Sequence, residues 1–349
     1  MAQLTAAAVH SSRARRALTA NHLDHSWSAH IAHCLIVGGG FIGAPLAERL
    51  AREGHRVTIY SRSFNARLAR AKNDVLDRIR MVEGEVPPAG GLLELVSEAD
   101  LVFYLAGTST PAAANNDPGG SMTRHVVPAA AVLELMRETS TRRVIVASSG
   151  GTVYGLPQQL PTPEDYPTRP FSLHGHHSLT IERYAQFFAE RFGFETIILR
   201  YSNPYGPYQV ARRGQAVIAA WSEALARDEP LRIFGDPQTR RDFVFIDDLV
   251  EATALAGLNA AGGTYNVGSG RATSLQEVAH LLVAASGRQP DILYAEARPV
   301  DVPVTQLDCS RLRSATGWSP SVSLSDGIQA VWDWADQANA AGPYDVHTV

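Results

Sequence analysis

The chain alternates short apolar runs with longer stretches in which apolar residues recur every three or four positions. Cys34-Leu-Ile-Val37 is apolar throughout, as a strand covered on both faces of a parallel sheet requires. His55-Arg-Val-Thr-Ile-Tyr60, Leu101-Val-Phe-Tyr-Leu-Ala-Gly107, Arg143-Val-Ile-Val-Ala-Ser-Ser149 and Thr196-Ile-Ile-Leu-Arg200 are further runs of this kind. Helical patterns separate them, beginning with Ala44-Pro-Leu-Ala-Glu-Arg-Leu-Ala51. This alternation predicts an α/β fold built on a doubly wound parallel sheet. A chain of 349 residues is long enough for that unit and a smaller C-terminal lobe. No internal repeat and no transmembrane stretch interrupts the pattern.

The first strand runs directly into Gly38-Gly39-Gly40-Phe41-Ile42-Gly43 and then into the first helix. Gly38-x-Gly40-x-x-Gly43 between a strand and a helix is the setting in which backbone N–H groups at a helix start hold a pyrophosphate. The sheet is therefore expected to be Rossmann-like, with Gly38, Gly40, Phe41, Ile42 and Gly43 on a dinucleotide. The second strand ends in Ser61-Arg62-Ser63, where enzymes that prefer NAD usually carry an acidic residue for the ribose hydroxyls. A guanidinium suits a 2′-phosphate, and either serine adds a hydroxyl, so the expected cofactor is NADP(H). Arg67 is a candidate second cation.

Charge and cysteine usage act mainly by exclusion. Lys plus Arg number 31 against 35 Asp plus Glu, and the pI is near 6.3, so no field draws nucleic acid or an anionic membrane. Cys34 and Cys309 are too few for a disulfide framework or a structural zinc, and fit a reducing, cytoplasmic setting. Residues 1–30, rich in Ala, His and Arg with Arg13, Arg15 and Arg16 clustered, lack a signal peptide's apolar core and read as a loosely ordered tail. Residues 337–349 read as a second loose end. His22, His25, His30 and His33 fall in or beside the first tail without a complete ligand pattern, so no metal is expected. His176 and His177 are adjacent and would point in different directions on a helix.

Gly39-Gly-Phe-Ile-Gly43, Leu105-Ala-Gly107, Ser148-Ser149 with Val153-Tyr-Gly155, and Leu199-Arg-Tyr-Ser-Asn-Pro-Tyr-Gly-Pro207 carry a family resemblance. Arg241-Asp-Phe-Val-Phe245, Tyr265-Asn-Val-Gly268 and Gly317-Trp318 continue it. From roughly Ile31 to Trp334 the chain resembles the extended short-chain dehydrogenase/reductases, especially nucleotide-sugar epimerases and dehydratases. The resemblance implies a Rossmann domain of residues 31–201 and 242–270 and a substrate-binding lobe of residues 202–241 and 271–336. It further implies that Ala106 and Gly107 lie under the ribose, and Ser148, Ser149 and Asn203 near the nicotinamide. Tyr154, Tyr205, Arg241 and Asp242 would line the cleft. By the same analogy, the helix around His176 to Phe192 pairs two subunits in a homodimer.

Departures from that family fall on its proton-transfer residues. The family's Ser/Thr position is Gly150, its tyrosine is His174, its lysine is Ser178, and a position that often carries a structural asparagine is His125. The first glycine of its usual Gly-x-x-Gly-x-x-Gly is Val37. In the family the lysine lowers the tyrosine pKa from about 10 so that the phenol exchanges protons near neutral pH, and Ser178 cannot do this.

Three chemistries remain open. His174 could act directly as the acid, its ring oriented by Ser178 at i+4. Hydride could instead pass from NADPH to a ketone whose neighbouring phenol donates the proton, as in the angucyclinone-type polyketide ketoreductases that a triad-less pattern also resembles. Or the chain could bind NADP(H) and catalyse nothing. Ser149, Tyr154 and His174 are then orienting residues with no obligatory acid among them. The expectation taken forward is an NADPH-dependent ketoreductase acting on a hydroxylated aromatic polyketide ketone in antibiotic biosynthesis. Its rival is a nucleotide-sugar epimerase or dehydratase with Arg241 on the diphosphate.

Overall fold

The computed structural model describes residues 31–68, 73–86, 91–107, 111–211, 216–298 and 302–340, so both expected tails fall largely outside the described residues. The first unit runs β1 (His33–Val37), α1 (Gly43–Arg52), β2 (Arg56–Ser61), α2 (Asn73–Leu76), β3 (Ile79–Glu83), α3 (Leu92–Glu98) and β4 (Leu101–Tyr104). It continues with α4 (Pro111–Asn116), α5 (Pro118–Arg137), β5 (Arg143–Ser149), α6 (Leu173–Phe192) and β6 (Glu195–Tyr201). Then come β7 (Asn203–Tyr205), α7 (Val217–Ala226), β8 (Leu231–Phe234), β9 (Arg240–Phe245), α8 (Ile246–Asn259) and β10 (Gly263–Val267). β11 (Ala272–Ser274), α9 (Leu275–Ser286), β12 (Ile292–Ala295), α10 (Ser310–Thr316) and α11 (Leu324–Ala340) close the chain. The last helix therefore extends past the boundary expected at residue 336.

Seven strands form one sheet in the order β10-β6-β5-β4-β1-β2-β3, every neighbouring pair parallel. The expected α/β, doubly wound sheet is present. Its strands alternate in the way that period-2 geometry dictates: Cys34 and Ile36 of β1 face one apolar layer, and Leu35 and Val37 the other. α1 and α8 cover the first face, while α3, α5 and α6 cover the second. His33, expected beside a loose tail, is instead the buried first residue of β1, with its ring bonded to Glu98 O and Thr58 Oγ1.

A three-stranded sheet (β11-β9-β7), a two-stranded sheet (β12-β8) and helices α7, α9 and α11 make up the smaller lobe. Its apolar residues, among them Ile218, Trp221, Leu282 and Val331, continue the core that starts under α1 and α8. The order of strands reverses between β1 and β4, and doubly wound sheets bind ligands in the crevice at that reversal, outside the carboxyl ends of the strands.

Candidate active site

At the reversal point the turn after β1 has a geometry that only glycine permits at two positions. Gly38 has φ +115°, and a Cβ on it would stand 2.8 Å from Ala106 N at the end of β4. A Cβ on Gly43 would stand 1.8 Å from Gly38 O. α1 starts at Gly43 with no side-chain cap and no acidic residue in its first turn; Ala44 N donates to Gly40 O, and the positive end of the helix dipole faces the turn. Gly40 is exposed, with nothing within 4 Å of an added Cβ. An open glycine facing an uncapped helix start fits a pyrophosphate. Val37, at the place of the family's first glycine, ends β1 fully buried and leaves this turn intact. Gly39, which sequence reasoning passed over, is fixed from the other side: Asn65 N donates to its carbonyl at 2.8 Å, and Phe64 and Ile59 crowd its Cβ position.

Ser61, Arg62 and Ser63 close β2 beside this turn. Ser61 Oγ donates to Ser63 O at 2.7 Å. The half-exposed Arg62 guanidinium has a loose contact with Glu85 at 3.5 Å, and an exposed pair of this kind holds a side chain weakly. Arg67, expected as a second cation, is instead engaged with Glu48 and Asp247.

On the far side of β1, Ala106 and Gly107 follow β4, and Gly107 faces His125 of α5, whose Nδ1 lies 3.7 Å from the Cβ position of the glycine. The His125 ring stacks on that of His177 of α6 at 6.1 Å between centroids and 20° between planes. His177 Nδ1 in turn meets Ser121 Oγ at 3.2 Å. His176 is exposed and His177 buried, as adjacent helical positions require. His174 stands one turn before this pair, in a helix capped by Ser172, whose side chain accepts from Gly175 N. Burial, and then His177, push His174 down to about 4. Burial, then His174, His177 and Arg124, do the same to His125, also to about 4. His177 is lowered by burial and by His176. At neutral pH the site thus presents neutral imidazoles, each able to accept one hydrogen bond and donate another.

Several expected roles change on contact with the geometry. Ser178 Oγ donates to His174 O at 3.0 Å, so it caps its own helix backbone instead of orienting the His174 ring. Gly150 admits no hydroxyl side chain: an added Cβ would stand 2.6 Å from Leu307 Cδ1 and 3.0 Å from Arg200 O. Ser148, placed by expectation near the nicotinamide, donates to Glu182 Oε1 at 2.5 Å in the interior. Arg200 binds the same carboxylate through Nε at 3.0 Å and Nη2 at 2.7 Å, and reaches Tyr154 OH at 2.9 Å. Tyr154 OH donates to Asn266 Oδ1 at 2.7 Å, and burial first of all pushes the phenol up to about 12. Tyr154, expected to orient substrate, is therefore spent in a buried network that joins β5, α6, β6 and β10.

The lobe residues divide in the same way. Tyr205 is buried between Phe243 and Phe245, a core aromatic and not a cleft residue. Asp242 is fully buried and accepts from Ser269 N and Oγ, Gly270 N and Leu307 N, which fixes two loops. Arg241 donates to the carbonyls of Arg240 and Val302. Asn203 keeps a buried Oδ1 without a partner among the described residues, close to Gly151, and Ser149 lies half-buried at the end of β5. Among the described residues no group of three or more His, Cys, Asp or Glu could hold a metal ion, and no helix is long and apolar enough to cross a membrane.

An open glycine turn at the reversal point of a doubly wound sheet is the setting in which α/β proteins bind dinucleotides. The chain belongs to the NAD dependent epimerase/dehydratase family, which it matches over residues 34–268. It is 34% identical over 301 residues to a UDP-glucose 4-epimerase of Mycolicibacterium smegmatis, covering 84% of this chain and 95% of that protein. It is 30% identical over 241 residues to an Escherichia coli dTDP-4-dehydro-6-deoxyglucose reductase, covering 68% and 76% of the two chains. The crystal structure of a Thermotoga maritima UDP-glucose 4-epimerase with UDP-glucose superposes with a TM-score of 0.79 at 28% identity, covering 88% of this chain and 99% of that one. These similarities overturn the expectation of an aromatic-polyketide ketoreductase with a phenolic ketone as substrate and a place in antibiotic biosynthesis. Loss of the proton-transfer residues suggested it, but the relatives act on nucleotide sugars.

Proposed function

We propose that this protein is a nucleotide-sugar enzyme of the epimerase type, in which the neutral imidazole of His174 takes the place of the phenol as proton acceptor and donor. The observation that supports this is the position of His174 in the first turn of α6, near enough to His125, which faces Gly107 just past β4, to help depress its pKa, in a chain whose dinucleotide turn fits a pyrophosphate. The family and the relatives' substrates support a nucleoside-diphosphate sugar as the ligand. A nicotinamide dinucleotide held at the glycine turn would supply a reversible hydride acceptor, so that an epimerisation needs no outside oxidant.

His174 then accepts the proton of the sugar hydroxyl as its carbon is oxidised and gives it back on reduction. An imidazole near 4 releases its proton readily but accepts one reluctantly, so its rate advantage sits toward the low end of the ~10²–10⁴ that a positioned acid or base provides. Arg62, with no acidic residue at the end of β2, supports a preference for the 2′-phosphorylated cofactor, NADP(H).

Incubation of the protein and cofactor with UDP-glucose, UDP-glucuronate and UDP-N-acetylglucosamine, followed by proton NMR of the sugar, tests the reading. The expected result is slow conversion of at least one sugar to its epimer, lost in His174→Phe while sugar and dinucleotide binding persist. Turnover that survives His174→Phe would refute the assigned role, and intact binding without conversion of any sugar would refute the catalytic reading.

A further inference from the structure

The geometry points to His125 as the residue that positions the nicotinamide riboside, through a hydrogen bond from its imidazole to a ribose hydroxyl. This rests on the dinucleotide-binding reading of the preceding section. Its grounds begin with topology. β1 lies between β2 and β4, the pyrophosphate turn follows β1, and Arg62 marks the adenosine end at β2. The other half of an extended dinucleotide must then run over the tips of β4 and β5. Gly107 is the exposed residue just past the tip of β4, and its missing side chain leaves His125 as its neighbour, with Nδ1 at 3.7 Å and Cε1 at 4.0 Å from the Cβ position.

The ring is held for this task from behind. It stacks on His177, which is tied to Ser121 one turn away on the same helix as His125. Although the residue is only 6% exposed, Nδ1 faces the place that a Gly107 side chain would fill. A neutral imidazole there can donate or accept, and a ribose hydroxyl can do both. Ser178, on the facing helix, has its hydroxyl committed to His174 O, which leaves the α5 side to provide the contact.

The test separates the two halves of the cofactor. Binding of NADPH and of 2′,5′-ADP, which contains the adenosine end alone, is measured by calorimetry on the full chain and on His125→Phe and His125→Gln, with NADH and ADP run in parallel. His125→Phe is expected to weaken the complete dinucleotide about tenfold and to leave the fragment unchanged, since one hydrogen bond to the riboside is removed. His125→Gln, which keeps a donor and an acceptor, recovers part of the loss. Equal weakening of dinucleotide and fragment would overturn the inference, as would unchanged binding of both. If the unmodified chain binds neither NADPH nor NADH, the dinucleotide reading itself falls. If it binds them and the His125 variants match it, only this inference does.

Discussion

Removing the carboxylate of Glu182 is the perturbation whose size the structure defines best. Glu182 is fully buried on α6, and both its oxygens are used: Oε1 by Ser148 and Arg200 Nε, Oε2 by Arg200 Nη2. Glu182→Ala leaves the Arg200 guanidinium, itself only 5% exposed, with Tyr154 and the Glu164 carbonyl but no counter-charge. Breaking one side of a buried ion pair costs about 3–5 kcal/mol, a large share of the ~5–15 kcal/mol that typically holds a folded protein together. In a chain of this length that lowers Tm by about 4–7 °C, which a thermal melt followed by circular dichroism reads directly. The double variant Glu182→Leu with Arg200→Met, which removes both charges, should recover most of the loss. A drop below about 2 °C in Glu182→Ala, or a double variant worse than the single, would refute the network as a structural element and return Ser148 and Tyr154 to the cleft.

Other outcomes follow from the same geometry. Gly43→Ala forces a Cβ to within 1.8 Å of Gly38 O, so dinucleotide binding should fall at least tenfold in a fluorescence titration while the circular dichroism spectrum is retained. On the proposed NADP(H) reading, Arg62→Asp should weaken NADP(H) and strengthen NAD(H) binding, seen as opposite changes in the two dissociation constants. His125 and His174 have folded-state pKa values near 4, below the ~6.5 of an unfolded histidine, so the unfolded chain binds the extra protons. Stability from these two residues is therefore complete above about pH 6.5 and is lost as pH falls toward 4. Denaturant midpoints measured across that window should fall less steeply in His125→Asn than in the unmodified chain.

The sheet was legible because its strands are covered on both faces, so runs such as Cys34-Leu-Ile-Val37 carry the signal in every residue. β3 carries a weaker signal for the converse reason: it is an edge strand, and Arg80, Met81 and Glu83 are hydrophilic or exposed. The glycine turn was legible as local chemistry, with strand, spacing and helix all adjacent in sequence. Ser148 and Tyr154 were misread because their partners lie far along the chain, at Glu182, Arg200 and Asn266, and neither periodicity nor spacing reports a contact of that range. Arg67 was misread likewise, since Asp247 reaches it only through the packing of α1 on α8. The meeting of His125 with His177 depends on how α5 lies against α6, which a single sequence does not state.

The most direct test of the central claim is the pH profile of nucleotide-sugar conversion, recorded as kcat/KM for the unmodified protein and for His174→Phe. A proton acceptor near 4 must be deprotonated to work, so the account predicts a rate that is flat through neutral pH, falls in acid with a midpoint near 4, and disappears in the variant. A profile that still rises between pH 7 and 10, or conversion that continues in His174→Phe, would contradict it.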